Sequence, residues 1–316
     1  MSSRLPVAVV GGFLGAGKTT LINTLLSRQT TTRTAVIVNE FGSLGIDGQL
    51  IRSAKGGVIE LTNGCVCCEV REDLSEAVRR LLAQRQRWIR PLKFDRLWIE
   101  LSGVASPGPV VQTFRVQPDL VQACQWRGLI AVANAGILLD QIERYVEARQ
   151  QIIVADMVVL NHCDETSDAD IVRAERAIQA LNPFAVLRRT TYADIDEKLL
   201  WQSMSDTRSW TREIPAEPHG HSDLQTLSFE HSVPLSLHTL KIFLQFLSSR
   251  NANRIVRMKG IFHCADHTSA IVVNGVHQWL ELGPVETPAP SNSQFVIIGH
   301  DLDEEEIRRG WGSVTD

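Results

Sequence analysis

The sequence predicts a doubly wound, mostly parallel α/β sheet followed by a smaller α+β domain. Three observations carry that expectation. From residue 5 to about 200, short β-branched runs alternate with stretches of helical periodicity, the pattern of strand–helix–strand crossover units. Several of these runs are apolar at nearly every position, as strands covered on both faces are. Past residue 224 the order changes, and strands follow one another with few helical segments between them.

Taken in order, "PVAVV" (6–10), "TAVIVN" (34–39), "RLWIEL" (96–101), "GLIAVAN" (128–134), "DMVVLN" (156–161) and "AVLRR" (185–189) read as strands. Helical spacing fills 18–28, 70–88, 137–151 and 168–181. The polar stretch at 206–224 carries prolines and a glycine and reads as a linker. Two domains are therefore expected, 1–205 and 225–316. In the second, 226–231, 254–263 and 295–299 read as strands and 235–249 as an amphipathic helix. "SAIVVNGVHQWLEL" (269–282) reads as a hairpin turning at Asn274-Gly275, and "DEEEIRRGW" as a closing helix whose acids complement its dipole.

Composition narrows the class. The 316 residues are 44% hydrophobic and 22% charged, ordinary for a globular enzyme. A net charge of −4 gives no electrostatic reason to expect nucleic acid or an anionic membrane as partner. The apolar opening "LPVAVVGGFLGAG" runs straight into "KTT", which suits a buried strand better than a secretion signal. No stretch reaches the roughly 18 apolar residues of a membrane span. A cytoplasmic setting follows as the expectation, in which thiols stay reduced and clustered cysteines suggest metal or catalysis before disulfides.

"GGFLGAGKTT" sets Gly12, Gly17, Lys18 and Thr19 in the G-x-x-x-x-G-K-[ST] spacing between a predicted strand and a predicted helix. This is a P-loop. Gly12, Gly15, Ala16, Gly17 and Thr20 supply backbone to a phosphate cradle at a helix N-terminus. Lys18 is expected at the β- and γ-phosphates and the Thr19 hydroxyl on Mg²⁺. Strand 156–161 leads into "NHCD". Asp164 can accept two hydrogen bonds from guanine N1–H and its exocyclic amine. Adenine cannot donate both, so the reading favours GTP. Asn161 would brace the P-loop and touch the base edge.

With "VNEFG" (38–42), "NGCVCC" (63–68) and "WIELSG" (98–103), these motifs stand in an order that resembles the CobW family of P-loop GTPases. These are metallochaperone-like proteins related to the GTPases that insert nickel into hydrogenase and urease. "RIVRMKG" (254–260) and "FVIIGHDLDEEEI" (295–307) look like that family's C-terminal domain, so the resemblance covers nearly the whole chain. It implies that Glu100 lies at the Walker B position near Mg²⁺ and Gly103 near the γ-phosphate. It also implies that Asn39–Gly42 and Asp47 belong to the switch that senses nucleotide state. The chain departs from the family at His162, where lysine is usual and where an imidazole can stack on a purine instead. Ser43 also stands where an acid is often found.

Cys65, Cys67 and Cys68 lie within four positions, ahead of a helix expected near Glu69 whose N-terminus would favour thiolates. Three thiolates suit Zn²⁺, with the fourth tetrahedral place left to water, Glu40 or a partner residue. Inert core thiols, a redox pair at Cys65 and Cys68, and an iron–sulfur site are the competing readings. Among the nine histidines, His219 and His221 read as solvated linker residues, and His263 and His267 as surface residues flanking Cys264.

The whole reads as a GTP-hydrolysing metallochaperone that delivers Zn²⁺ or a related ion to a client metalloprotein under nucleotide control. Lys18 and Glu100 are its catalytic candidates. Its partners are GTP and the client, without nucleic acid or membrane, and a homo-oligomer is admitted. A nucleotide-gated metal sensor and a P-loop small-molecule kinase stand as alternatives.

Overall fold

The computed structural model describes residues 4–28, 33–39, 70–89, 92–204, 224–251 and 253–315. The chain divides into two compact units, Met1–Ala177 with Ala185–Asp206 and Ile178–Phe184 with Thr207–Asp316. The predicted linker falls almost wholly outside the described residues.

In the first unit six strands form one sheet: β1 (Leu5–Gly11), β2 (Thr34–Asn39), β3 (Arg96–Leu101), β4 (Cys124–Asn134), β5 (Met157–Asn161) and β6 (Val186–Arg189). Their order is β2-β3-β1-β4-β5-β6 and every pairing is parallel. The apolar runs fit this placement, since Val7–Val10 and Leu129–Val132 are buried throughout. The chain leaves β1 toward β2 on one side, while it leaves the adjacent β4 toward β5 on the other. Such a switch point opens a crevice beyond the carboxyl ends of the strands. Gly11, Leu101, Asn134 and Asn161, the last residues of four strands, lie along that edge.

Among the described residues seven helices connect these strands, α1 (Lys18–Ser27), α2 (Val70–Arg85), α3 (Gly108–Val116), α4 (Pro118–Ala123), α5 (Leu138–Arg144), α6 (Val146–Val154) and α7 (Asp168–Leu181), and α8 (Glu197–Met204) follows β6. Leu21, Ile22, Leu25 and Leu26 of α1 pack with Val10, Val36, Trp98 and Val132 of the sheet. The single helix expected over 137–151 is broken at Tyr145, which is extended at φ −122°, ψ 119°. The break has a local reason. The α5 carbonyls of Ile142 and Glu143 accept from the Arg149 guanidinium at 2.7 and 3.3 Å, so α6 folds back to cap its predecessor. Helix α2 stops at Arg85, short of the expected 88.

The second unit runs β7 (Gln225–His231), α9 (Leu237–Arg250), β8 (Ile255–Phe262), β9 (Ser269–Val276), β10 (Trp279–Pro288), β11 (Ser293–Gly299) and α10 (Glu304–Thr315). Its sheet is antiparallel, in the order β10-β9-β8-β11-β7. Helices α9 and α10 cover one face through Leu240, Phe243, Leu247, Ile307 and Trp311, which pack with Phe229, Phe262 and Phe295. One expectation is corrected here. Asn274 and Gly275 are not the hairpin turn; they lie inside β9, opposite Lys259 and Met258 of β8. Pairing with β8 carries the strand on to Val276, and His277 and Gln278 turn the chain, His277 with φ 51°.

The expected fold class is therefore found: a parallel P-loop-type sheet with helices, then a smaller α+β unit. No helix among the described residues is long and apolar enough to cross a membrane.

Candidate nucleotide-binding site

The P-loop bridges the end of β1 and the start of α1. Gly12, Gly15 and Gly17 have φ of 137°, 73° and 102°, the left-handed side that L side chains avoid. Space is short at two of them. A Cβ at Gly12 would stand 2.3 Å from the Val132 carbonyl oxygen, and one at Gly17 would stand 2.5 Å from Asn161 Nδ2. The glycines thus let the loop press against β4 and β5. Helix α1 begins with no side-chain cap and no acid in its first turn. The first N–H groups of a helix point along its axis beyond its start, and nothing acidic in the first turn of α1 opposes an anion at that positive end. Lys18 Nζ reaches back over the loop to the Phe13 carbonyl at 3.3 Å.

Glu100 sits one residue before the end of β3, 4% exposed, and its Oε1 accepts from the Thr19 hydroxyl at 2.7 Å. Hydroxyl and carboxylate oxygens side by side are hard donors, the set Mg²⁺ takes. Thr19 and Glu100 are 81 residues apart in sequence. The parallel register that pairs Val10 with Glu100 brings them together.

On the other side of the loop, Asn161 is 1% exposed and ties three segments. Its Nδ2 donates to the Ala16 carbonyl at 3.2 Å, and its Oδ1 accepts from Thr190 Oγ1 at 3.2 Å and from Ala193 N–H at 2.7 Å. Tyr192 and Ala193 both hold left-handed backbone at φ 53°, which costs about 1–2 kcal/mol each without a glycine. His162 is left-handed as well, with its Nδ1 3.3 Å from Glu165 Oε2. Asp164 follows on the same turn, exposed, and its carboxylate makes no hydrogen bond among the described residues.

Two glutamines that sequence reading missed complete the P-loop's surroundings. Gln141 of α5 donates to the Leu14 carbonyl at 3.1 Å. Gln151 of α6 accepts from Gly12 N–H and donates to the carbonyls of Gly103 and Ala105. The one signal in the sequence was a glutamine inside "QQIIV", and it has meaning only once the break at Tyr145 is known.

Structure therefore gathers Gly12, Gly15, Ala16, Gly17, Lys18, Thr19, Thr20, Glu100, Gly103 and Asn161 around one loop, with Asp164 on the turn that follows Asn161. Glu40, Cys65, Cys67 and Cys68 lie outside the described residues, as do Asp47, His219 and His221. Among the described residues, no group of three His, Cys, Asp or Glu could hold a metal ion. Burial pushes the Cys124 and Cys264 thiols up to about 11 and raises Cys163 as well, so none of these three is prepared as a thiolate ligand.

Residues 6–187 match the family described as CobW/HypB/UreG, nucleotide-binding domain, and residues 224–315 match the cobalamin synthesis protein cobW C-terminal domain. Zinc chaperone YjiA of Escherichia coli (strain K12) is 30% identical over 324 residues, covering 98% of this chain and 98% of its own. Zinc-regulated GTPase metalloprotein activator 1 of Schizosaccharomyces pombe is 27% identical over 351 residues, 94% of this chain and 83% of its own. The crystal structure of Zn(II)-bound YjiA GTPase from E. coli aligns with a TM-score of 0.74 at 25% identity over the full length of both chains. A P-loop at the switch point of a parallel sheet and similarity along nearly the whole chain agree: the chain belongs to the CobW/HypB/UreG family of P-loop GTPases.

Proposed function

We propose that this chain hydrolyses GTP and uses the cycle to carry zinc, held by Cys65, Cys67 and Cys68, to a client metalloprotein. The observation that carries the nucleotide half is the 2.7 Å pairing of Thr19 with Glu100 beside an uncapped helix N-terminus. Hard oxygens and the helix N-terminal N–H groups meet there at the start of α1, as a metal–triphosphate requires. Zinc enters through the relatives, a zinc chaperone and a zinc-regulated GTPase metalloprotein activator. Desolvation raises the thiol pKa of Cys124, Cys163 and Cys264, so Cys65, Cys67 and Cys68 are the candidates that remain. Domains at 1–205 and 225–316, joined by a linker at 206–224, belong to the same reading.

Each residue then has a task. The N–H groups from Gly15 to Thr20 surround the phosphates, and Lys18 places its charge at the β- and γ-oxygens. Thr19 would hold Mg²⁺ directly, with Glu100 orienting the Thr19 hydroxyl by the hydrogen bond already present. When bound, Mg²⁺ neutralises charge that develops between the β- and γ-phosphates. Asn161 keeps the loop against the base-reading turn. Asp164, exposed and without a hydrogen-bond partner among the described residues, accepts from guanine. Gly103 follows the state of the γ-phosphate. Glu40 and the three cysteines follow β2 in sequence, and nucleotide state biases how the thiolates are gathered.

Phosphate release from GTP and chelator competition for zinc test this together. Wild type should release phosphate without an added acceptor, and Lys18→Ala should not. Zinc affinity should differ between the GDP and GTP-analogue forms, with zinc shifting nucleotide affinity by the same factor. Phosphate release unchanged by Lys18→Ala sinks the nucleotide assignment. Equal zinc affinities sink nucleotide control and leave a GTPase with a metal site.

A further inference from the structure

We infer that Gln151 is a positioning residue that holds the Gly103 segment in the form that recognises a γ-phosphate. It would set the preference for GTP over GDP by raising affinity for the triphosphate alone. This rests on the nucleotide-site reading above. Gln151 touches no substrate atom in that reading; it acts through two backbone segments that do.

The side chain is 1% exposed and nearly saturated with partners. A primary amide offers two donors and two acceptor lone pairs. Here both donors are used, on the Gly103 carbonyl at 3.0 Å and the Ala105 carbonyl at 3.1 Å, and the oxygen accepts from Gly12 N–H. The network fixes which end is nitrogen, since two carbonyls require donors and an N–H requires an acceptor. Gly12 itself cannot yield, because it is packed against Val132. Gln151 therefore measures the Gly103 segment against a rigid reference.

From the opposite side that segment meets Leu14. A Cβ at Gly103 would lie 2.5 Å from Leu14 Cδ2 and 3.0 Å from Leu14 N. Ala105 N–H donates to Ser102 O at 3.0 Å, so residues 102–105 form a closed turn between the P-loop tip and Gln151. A trans peptide is planar, so pinning the Gly103 and Ala105 carbonyls fixes the planes of the peptides that follow and the direction of their N–H groups. Recognition of a γ-phosphate by this turn needs that direction; recognition of GDP does not.

Glutamate is the informative replacement. Gln151→Glu keeps an acceptor for Gly12 N–H and removes one donor when protonated and both as a carboxylate, whereas Gln151→Met removes all three bonds. Affinity for GDP and for a non-hydrolysable GTP analogue, with kcat and KM for GTP, should be measured on folded protein confirmed by circular dichroism. Gln151→Glu should hold GDP affinity within about twofold while losing about tenfold or more in analogue affinity and in kcat. Equal losses for both nucleotides, or an unchanged GTP-to-GDP ratio, overturn the inference and leave Gln151 a structural strut. Should neither variant fold, nitrogen-15 spectra of wild type decide. The Gln151 side-chain protons should exchange more slowly with the analogue bound than with GDP, and equal rates overturn the proposal. If wild type binds neither nucleotide, the underlying site reading has failed instead, and the inference with it.

Discussion

Asn161→Ala removes the most connected side chain at the site, and its consequence can be worked from the three bonds. Ala193 N–H belongs to a residue with no exposed surface and loses a 2.7 Å acceptor. A buried amide left so costs about 2 kcal/mol. Thr190 Oγ1 and the Ala16 carbonyl lose partners at 3.2 Å, worth about 0.5–1 kcal/mol each. The sum is about 3–4 kcal/mol. Part is recovered if Tyr192 and Ala193 relax from their left-handed backbone, so the net lies near 3 kcal/mol. For a unit of about 200 residues that lowers Tm by roughly 6–12 °C. Thermal melts and urea titration, each with and without GDP, measure it. Asn161→Asp keeps an acceptor for Ala193 and should lose about half as much. A Tm drop under about 2 °C for Asn161→Ala would refute the bracing role. So would full retention of nucleotide affinity, because the Ala16 carbonyl and the base-reading turn would no longer be linked.

Other expectations concern separate regions. Glu197 Oε1 accepts from Arg96 at 2.5 Å and from the indole N–H groups of Trp98 and Trp201 at 3.4 and 3.3 Å, so Glu197→Ala should destabilise by about 3 kcal/mol. Tryptophan emission should shift with it, and an unshifted melt would mean the cluster is slack. Asp164→Ala should abolish preference for GTP over ATP in competition binding while leaving GDP bound through its phosphates; wild type binding both purines equally would refute the base assignment. At pH 8 the Cys124 and Cys264 thiols, pushed up to about 11, should alkylate slowly. The thiols that label fast and are protected by zinc should be Cys65, Cys67 and Cys68, and the absence of protection would count against the metal site. Burial holds Cys124 and Cys264 protonated beyond their ordinary 9.0, so the folded state binds more protons than the unfolded one in that range. Their stabilising share is intact below pH 9 and is lost as pH rises toward about 11, which alkaline melts would register.

What the sequence revealed was local. Strands such as Val7–Val10 are apolar at every position because both faces are covered, so periodicity alone found them. The P-loop was legible because its chemistry is contiguous from Gly12 to Thr20. Glu100 was placed by family resemblance, since nothing near it in sequence signals a partner at Thr19. Gln151 was not legible, because its partners are 139, 48 and 46 residues away. Tertiary pairing also overruled a local signal: Asn274-Gly275 is a strong turn dipeptide, yet β8 supplied ladder partners for both residues. Tyr145 broke a helix that periodicity joined, because the Arg149 guanidinium folded back to satisfy the carbonyls that the break exposed.

The central place of β1 has a consequence for synthesis. It is the first strand of this sheet to be made, yet its two neighbours begin only at Arg96 and Cys124. At roughly 5–20 residues per second, the apolar ribbon Leu5–Gly11 waits many seconds with both edges open. Until then it offers unpaired backbone to any other strand, a hazard for a nascent chain. Asn161 arrives later still, and with it the brace on Ala16. A truncated chain carries the whole phosphate motif without the sheet that shapes it. Nucleotide capture thereby becomes a late checkpoint of assembly, passed only by a chain in which β2, β3, β4 and β5 have already joined the first strand.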